Sequence, residues 1–370
     1  MKPIKVLMVT VAFGEGSGVN SFIINYFRRL DHDKVRMDVL TYAESRGGRS
    51  PYVQEVEDAG GKVFVLPSVK DPAKHINAIK KILEEGKYDI VHNNCLLISI
   101  PLMYVCKKAK IKVRLQHSHS IRMGATSQKN AINNLFVPLL LINCNYFSAC
   151  TTAAGKAMFG KRKFHVLPNV INAEEYYFDP VKREEGRAAY GISDKILILS
   201  VGRASEEKNP VFAMEVVKRL KEKGYDVLYW WLGHGRMLEE MKSKAAEMGI
   251  TEITSFPGNK SNVRDYYEIA DLFFLPSIFE GLPLTGLEAQ AMGLPAVVSD
   301  IVTREMLFTD LVEYVSLKEP IEKWVEAFER QIKRIPERRS CNEELRRSPY
   351  SAENAGRRME ALYEELLAEK

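Results

Sequence analysis

The stretch LPSIFEGLPLTGLEAQAMGLP, residues 275–295, reads as the end of an apolar strand, a loop holding Glu280, Gly281 and Pro283, and a helix that contains Glu288 and stops at Gly293. Glu280 thus precedes the helix and Glu288 lies in its early turns. Between them, the amides of Thr285, Gly286 and Leu287 are expected to be free at a helix N-terminus, where unpaired N–H groups and the helix dipole suit a diphosphate. Glu288 is expected to accept hydrogen bonds from ribose hydroxyls and Glu280 from a sugar, since a carboxylate with two acceptor oxygens matches a vicinal diol. A glycoside-hydrolysing pair of carboxylates would instead sit ~5–9 Å apart across a scissile bond. A helix tip between the two glutamates favours phosphate.

Working outward, the same strand–helix alternation fills the chain. Strands are expected near 195–202, 226–233, 252–256, 272–276 and 296–299, and in the first half near 4–11, 35–41, 62–66, 89–92, 112–116, 146–149 and 164–167. Helical stretches such as 72–85 and 96–108 separate them. Almost continuous apolar strands call for parallel sheets covered on both faces. Asn209 before Pro210 reads as a helix cap with a first-turn proline, and Gly249 as a helix stop.

The polar segment PNVINAEEYYFDP, 168–180, reads as a linker and candidate hinge. The expected architecture is α/β: two Rossmann-like doubly wound domains, 1–172 and 173–350, facing across a cleft that holds the site, with a final helix in 351–370 packing back on the first.

A chain of 370 residues suits two domains, and 46% hydrophobic content with 23 Gly and 16 Pro suits two packed cores. The five cysteines have neither disulfide-like nor metal-ligand spacing and read as buried apolar groups in a reducing compartment. The run 135–142, broken by Pro138, is far short of the ~20 residues of a membrane span. The protein is expected in the cytoplasm, soluble or peripheral on the inner face of the membrane. Residues 1–172 carry 25 Lys/Arg against 12 Asp/Glu, and the remainder 28 against 36, so the first half is expected to face something anionic. Lys156, Lys161, Arg162 and Lys163, read beside the apolar 135–142 run, suggest an anionic membrane surface. Dispersed basic residues without interleaved aromatics argue against nucleic acid.

With its neighbours, the opening stretch resembles the E-x7-E segment of the retaining family 4 glycosyltransferases, of GT-B type. SVGRASEEKNP at 200–210 is similar to that family's V-G-R…E-K-N stretch, and LGHGRML at 232–238 to its G-x-G-x-L segment. FPGN at 256–259, PNVIN at 168–172 and GEGSGVNSFIINYFRRLD at 14–31 fit as well. RLQHSHS at 114–120 resembles members of capsular and exopolysaccharide assembly.

The resemblance implies a hexosyl transfer from a nucleotide diphosphate sugar, by family habit a UDP-sugar, to a saccharide or lipid-linked saccharide acceptor. Arg203 and Lys208 would hold the donor pyrophosphate, where fixed cations stabilise the charge of the leaving group in place of a metal. Glu280, with a strand-end histidine, would contact the donor sugar; His117 is the preferred match, and a register ambiguity of two residues leaves His119 as the alternative. Gly16, Gly18, Gly233, Pro257, Gly258 and the run Gly281, Leu282, Pro283, Leu284, Thr285, Gly286, Leu287 and Glu288 would line the donor. No cofactor and no divalent metal are expected.

Rival readings are a binding protein without turnover and a nucleotide-sugar epimerase or dehydrogenase. For the latter, the spacing of Gly14, Gly16 and Gly18 does not match a dinucleotide fingerprint, and no acid closes the strand ending near Thr41. Asp31-His32-Asp33 spells a D-x-D but reads as a turn.

Overall fold

The computed structural model describes residues 2–44, 50–124 and 127–369. The chain divides into two compact units, Met1–Val170 with Ala352–Lys370, and Ile171–Ser351.

The first unit holds seven strands: β1 Ile4–Thr10, β2 Val35–Thr41, β3 Val63–Val65, β4 Ile90–Asn93, β5 Val113–Ser118, β6 Tyr146–Ala149 and β7 His165–Val166. They form one parallel sheet in the order β3-β2-β1-β4-β5-β6-β7. Helix Gly18–Phe27 and the last helix, Ala355–Ala368, share the core on one side of it, with Phe22, Tyr26, Met359 and Tyr363 buried there. These two helices approach so closely that a Cβ at Gly356 would overlap the Arg29 carbonyl oxygen. Tyr26 donates to the Pro168 carbonyl oxygen at 2.8 Å, and Asn25 to that of Val170 at 2.7 Å, so the end of the first unit is tied to its first helix.

The second unit carries β8 Ile196–Val201, β9 Val227–Leu232, β10 Thr254–Gly258, β11 Leu272–Leu275, β12 Ala296–Ser299 and β13 Val312–Val315, all parallel in the order β10-β9-β8-β11-β12-β13. β13 escaped the sequence reading because VEYV is short, half-exposed and alternates only weakly. Both sheets are doubly wound, as expected. In each, the order reverses at the first strand, between β1 and β4 and between β8 and β11. Ligands of such sheets bind beyond the carboxyl ends of the strands at that reversal.

One local reading changes and another holds. Asn209 precedes helix Pro210–Glu222, but its side chain caps nothing; the residue adopts φ +56°, closing the single turn Glu206–Lys208. Asn tolerates that left-handed turn better than most residues. Asp31 accepts the Asp33 amide at 3.0 Å, the self-closing turn that Asp favours. All five cysteines are buried. Among the described residues, no helix is long and apolar enough to cross a membrane.

Candidate functional site

In the second unit, the loops after β8, β9 and β10 are laced together by backbone. Gly202 donates to Leu232 O at 2.8 Å, Ala204 to His234 O at 3.2 Å and Gly233 to Gly258 O at 2.9 Å, while the His234 amide donates to Asn259 Oδ1 at 2.8 Å. The approach demands glycine. Gly233 has φ +137°, and a Cβ there would overlap the Gly202 carbonyl oxygen; one at Gly235 would overlap that of Ala204. Pro257 and Gly258 sit where the pairing of β10 with β9 shifts register, so they brace the Gly233 loop from behind.

These loops carry Arg203 and Lys208. Arg203 is exposed and has no ion pair among the described residues. Lys208 turns back and donates to Glu280 Oε1 at 2.6 Å, with the two side chains 16% and 12% exposed. Ser277 Oγ donates to the same oxygen at 2.7 Å, and the Ser277 carbonyl oxygen accepts from Ser299 Oγ at 2.5 Å. The Ile278 amide donates to Glu207 O at 2.8 Å, tying the loop after β11 to the one after β8. Thus the strand reversal of the second sheet gathers a lysine, a glutamate and two buried serines. Neither serine was singled out from the sequence; the only trace is Ser277 standing three residues before Glu280 in a loop.

An ammonium has three donors and a carboxylate about four acceptor positions, so the pair leaves Lys208 two N–H groups and Glu280 its other oxygen. A phosphate and a sugar hydroxyl can therefore be met side by side without breaking the ion pair.

Helix Leu284–Ala291 begins after Pro283. The amides of Gly286 and Leu287 both donate to the Pro283 carbonyl oxygen, at 3.1 and 3.3 Å. The free donors are therefore those of Leu284 and Thr285 among the described residues, one step earlier than the sequence reading placed them, because the tight first turn consumes the later two. The Thr285 hydroxyl oxygen is buried there with no partner among the described residues. Gly281, Leu282, Pro283, Gly286 and Leu287 are buried beneath the tip, so they shape the loop from below.

Glu288 accepts from Tyr176 Oη at 3.1 Å and from Tyr267 Oη at 2.8 Å, one tyrosine on each oxygen. Burial pushes its carboxyl above the usual range, and the two hydroxyls partly oppose this. Tyr176, in the predicted linker, and Tyr267 went unnoticed in the sequence, since neither spacing nor composition marks a tyrosine as a carboxylate partner.

In the first unit, Gly16 turns the loop after β1 with φ +79°, and Gly18 opens helix Gly18–Phe27 with free space where a Cβ would stand. Asn20 holds this loop: it donates to Gly14 O at 2.8 Å and accepts from Thr10 Oγ1 at 3.0 Å. Phe22, on the same helix, faces three imidazoles. Its ring lies 4.6 Å from that of His117, 5.1 Å from His119 and 6.3 Å from His92.

His117 is only 2% exposed, bonds Ser148 Oγ through Nδ1 at 2.9 Å and leaves Nε2 without a partner among the described residues. His119 is partly exposed, and its Nε2 lies 2.9 Å from Asn94 Oδ1. Since Asn94 Nδ2 donates to Val9 O at 3.1 Å, its oxygen must face the ring, so His119 carries its proton on Nε2 and a lone pair on Nδ1. His92 bonds Tyr363 Oη at 2.8 Å. Burial lowers the pKa of His92 and His119 to about 3 and holds that of His117 well below its ordinary value, so the cluster is neutral near pH 7. Of the two candidate histidines, His117, the preferred match, belongs to the core, and His119 is the one left partly exposed.

A family model for glycosyl transferases group 1 matches residues 182–348. EpsF of Bacillus subtilis (strain 168), which bears a glycosyltransferase name, is 30% identical over 94% of this chain and 93% of its own. An Escherichia coli enzyme named UDP-Gal:alpha-D-GlcNAc-diphosphoundecaprenol alpha-1,3-galactosyltransferase is 24% identical over 77% of this chain and 76% of its own. Among solved structures, Anabaena HepE in complex with UDP and glucose has a TM-score of 0.80 at 14% identity, covering 98% of this chain and 99% of that one, which is a likeness of fold. With two doubly wound sheets of GT-B kind and a full-length relative at this identity, the chain belongs to the glycosyl transferases group 1 and is a glycosyltransferase.

Proposed function

We propose that this glycosyltransferase moves a hexosyl unit, with retention of anomeric configuration and without a metal ion, from a UDP-sugar to a saccharide or lipid-linked saccharide during surface polysaccharide assembly. It would work in the cytoplasm or on the inner face of the membrane. The observation that carries this reading is the Lys208–Glu280 pair at the strand reversal of the second sheet. The second unit is the donor side and the first the acceptor side. Lys208 and Arg203 hold the pyrophosphate with the amides of Leu284 and Thr285, Glu288 accepts from the ribose and Glu280 from the donor sugar. His119, through Nδ1, accepts from a further sugar hydroxyl, and Asn94 keeps that nitrogen unprotonated.

As the bond from the anomeric carbon to the β-phosphate oxygen breaks, the acceptor hydroxyl oxygen bonds that carbon from the same face. Its proton passes to a phosphate oxygen, and Lys208 and Arg203 stabilise the departing diphosphate. The name of the Escherichia coli relative supports a UDP-sugar and a lipid diphosphate acceptor. A panel of nucleotide sugars tested for thermal stabilisation identifies the donor. Proton NMR of the product reads the anomer, and an inverted linkage refutes the retaining mechanism. Activity that vanishes with a chelator and returns with a divalent ion refutes metal independence.

A further inference from the structure

Helix Ser127–Leu141 carries an apolar stripe that stays exposed among the described residues of the first unit. Ile132 is 54% exposed, Leu135 72%, Phe136 42% and Leu139 47%, and Ile142, just past the helix, is 58% exposed. Their spacing of three or four residues puts them on one face. Isolated exposed leucines are ordinary on a soluble protein, but a contiguous stripe of large side chains marks a contact surface. The helix Ile100–Lys108, packed beside it, adds Tyr104 at 51% exposure. Lys107 and Lys108 are exposed there too; Lys107 Nζ reaches the Ile142 carbonyl oxygen at 2.8 Å, and Lys108 Nζ lies 5.6 Å from the Tyr104 ring centre.

The electrostatics of this region select the occupant. From residue 90 to residue 173 the sequence has no Asp or Glu at all, against eleven Lys and Arg. Both helices lie inside that tract. A second copy would bring the same excess of positive charge to the contact, and a soluble protein partner ordinarily mixes both signs. A bilayer with anionic headgroups matches both features: it takes apolar side chains below the headgroups, leaves a tyrosine at the boundary and attracts lysines around the rim. The helix is too short to span a membrane but long enough to lie in its surface.

We infer that the face formed by helices Ile100–Lys108 and Ser127–Leu141 docks on an anionic bilayer, with Leu135, Phe136 and Leu139 inserted. This rests on the proposal of a lipid-linked acceptor for its purpose, and it names the surface that brings the enzyme to it. The basic residues after helix Thr152–Phe159 are a poorer anchor: Lys163 is paired with Glu369 at 3.6 Å, and Arg162 lies over the Phe147 ring at 5.9 Å.

The test is flotation of the full chain with vesicles of phosphatidylcholine alone or mixed with phosphatidylglycerol. The wild type should float with the mixed vesicles, less so at high salt, and Leu135→Glu with Leu139→Glu should cut the bound fraction by about tenfold or more. In a separate variant, Leu135→Trp, the indole emission should shift to the blue on the mixed vesicles. Stabilisation by the nucleotide donor should be the same in all three proteins, because the substituted side chains are exposed.

Wild type that stays with the soluble fraction overturns the inference, as does equal flotation of the double variant or an unshifted indole in floating protein. So does a solution dimer that the double variant converts to monomer. Donor binding is read without vesicles, so failure of the proposed reaction and failure of this docking face are told apart.

Discussion

The two sheets share a strand order on either side of their reversal points, yet they gather opposite kinds of chemistry there. At the β8/β11 reversal stand charges: Lys208 against Glu280, with Arg203 exposed nearby. Toward the carboxyl ends of β4, β5 and β6 in the first sheet stand neutral groups: three imidazoles packed on Phe22, with Asn94 and Ser148 bonded to two of them. The same backbone scaffold thus offers fixed charge in one unit and neutral hydrogen-bonding groups in the other. Loop side chains set the difference, which is why fold alone does not name a function.

Several substitutions probe this contrast. The largest effect is expected from Lys208→Ala, which removes the proposed phosphate donor and strands a largely buried carboxylate. Activity should fall by about 100-fold or more. Steady-state rates and nucleotide-induced stabilisation check it. A matching loss from Asn94→Ala would erase the distinction between the units, because in the proposed reaction Asn94 acts through His119. For Asn94→Ala a loss of about tenfold is expected, borne mainly by KM for the donor, with the His119 nitrogens shifting in NMR as the tautomers mix.

Next comes acid sensitivity, expected to be concentrated in the first unit. The folded pKa values of His92 and His119 lie near 3, below the unfolded value of about 6.5. Between those values the unfolded chain binds more protons, so stability is present above pH 6.5 and is lost as pH falls through that window. Each histidine contributes roughly 2 kcal/mol of loss by pH 5. Urea unfolding across this range, read by backbone NMR signals of each unit, should show β4 and β5 giving way before β8 and β11. Uniform loss across both sheets would contradict the assignment.

The smallest expected effect is that of Tyr267→Phe. It removes one hydroxyl from Glu288 and raises the carboxyl pKa further, so donor KM should rise by a few fold, about 1 kcal/mol, and most at mildly acid pH. Unchanged KM between pH 5 and 7 would remove Glu288 from the ribose.

The alternation of apolar and amphipathic segments made both sheets legible, from IKVLMVT at 4–10 to AVVS at 296–299. Glu280 and the helix tip were legible from LPSIFEGLPLTGLEAQAMGLP, because glycines, prolines and a helix start leave local marks, whereas Lys208 in EEKN was singled out only through the family resemblance. Partners far apart in the chain leave none. Ser299 behind Ser277, Asn94 behind His119, and Tyr176 with Tyr267 around Glu288 are invisible until the strands are laid side by side.

The sequence by itself determined the pair of doubly wound sheets, the loops that carry charge and the residue types able to meet phosphate and sugar, because periodicity and turn chemistry are short-range properties. Only the tertiary structure decided that Lys208 and Glu280 share a hydrogen bond, that His117 is core and His119 partly exposed, and which two amides stay free. Those outcomes depend on burial and on distances between residues remote in sequence, and no local pattern encodes them.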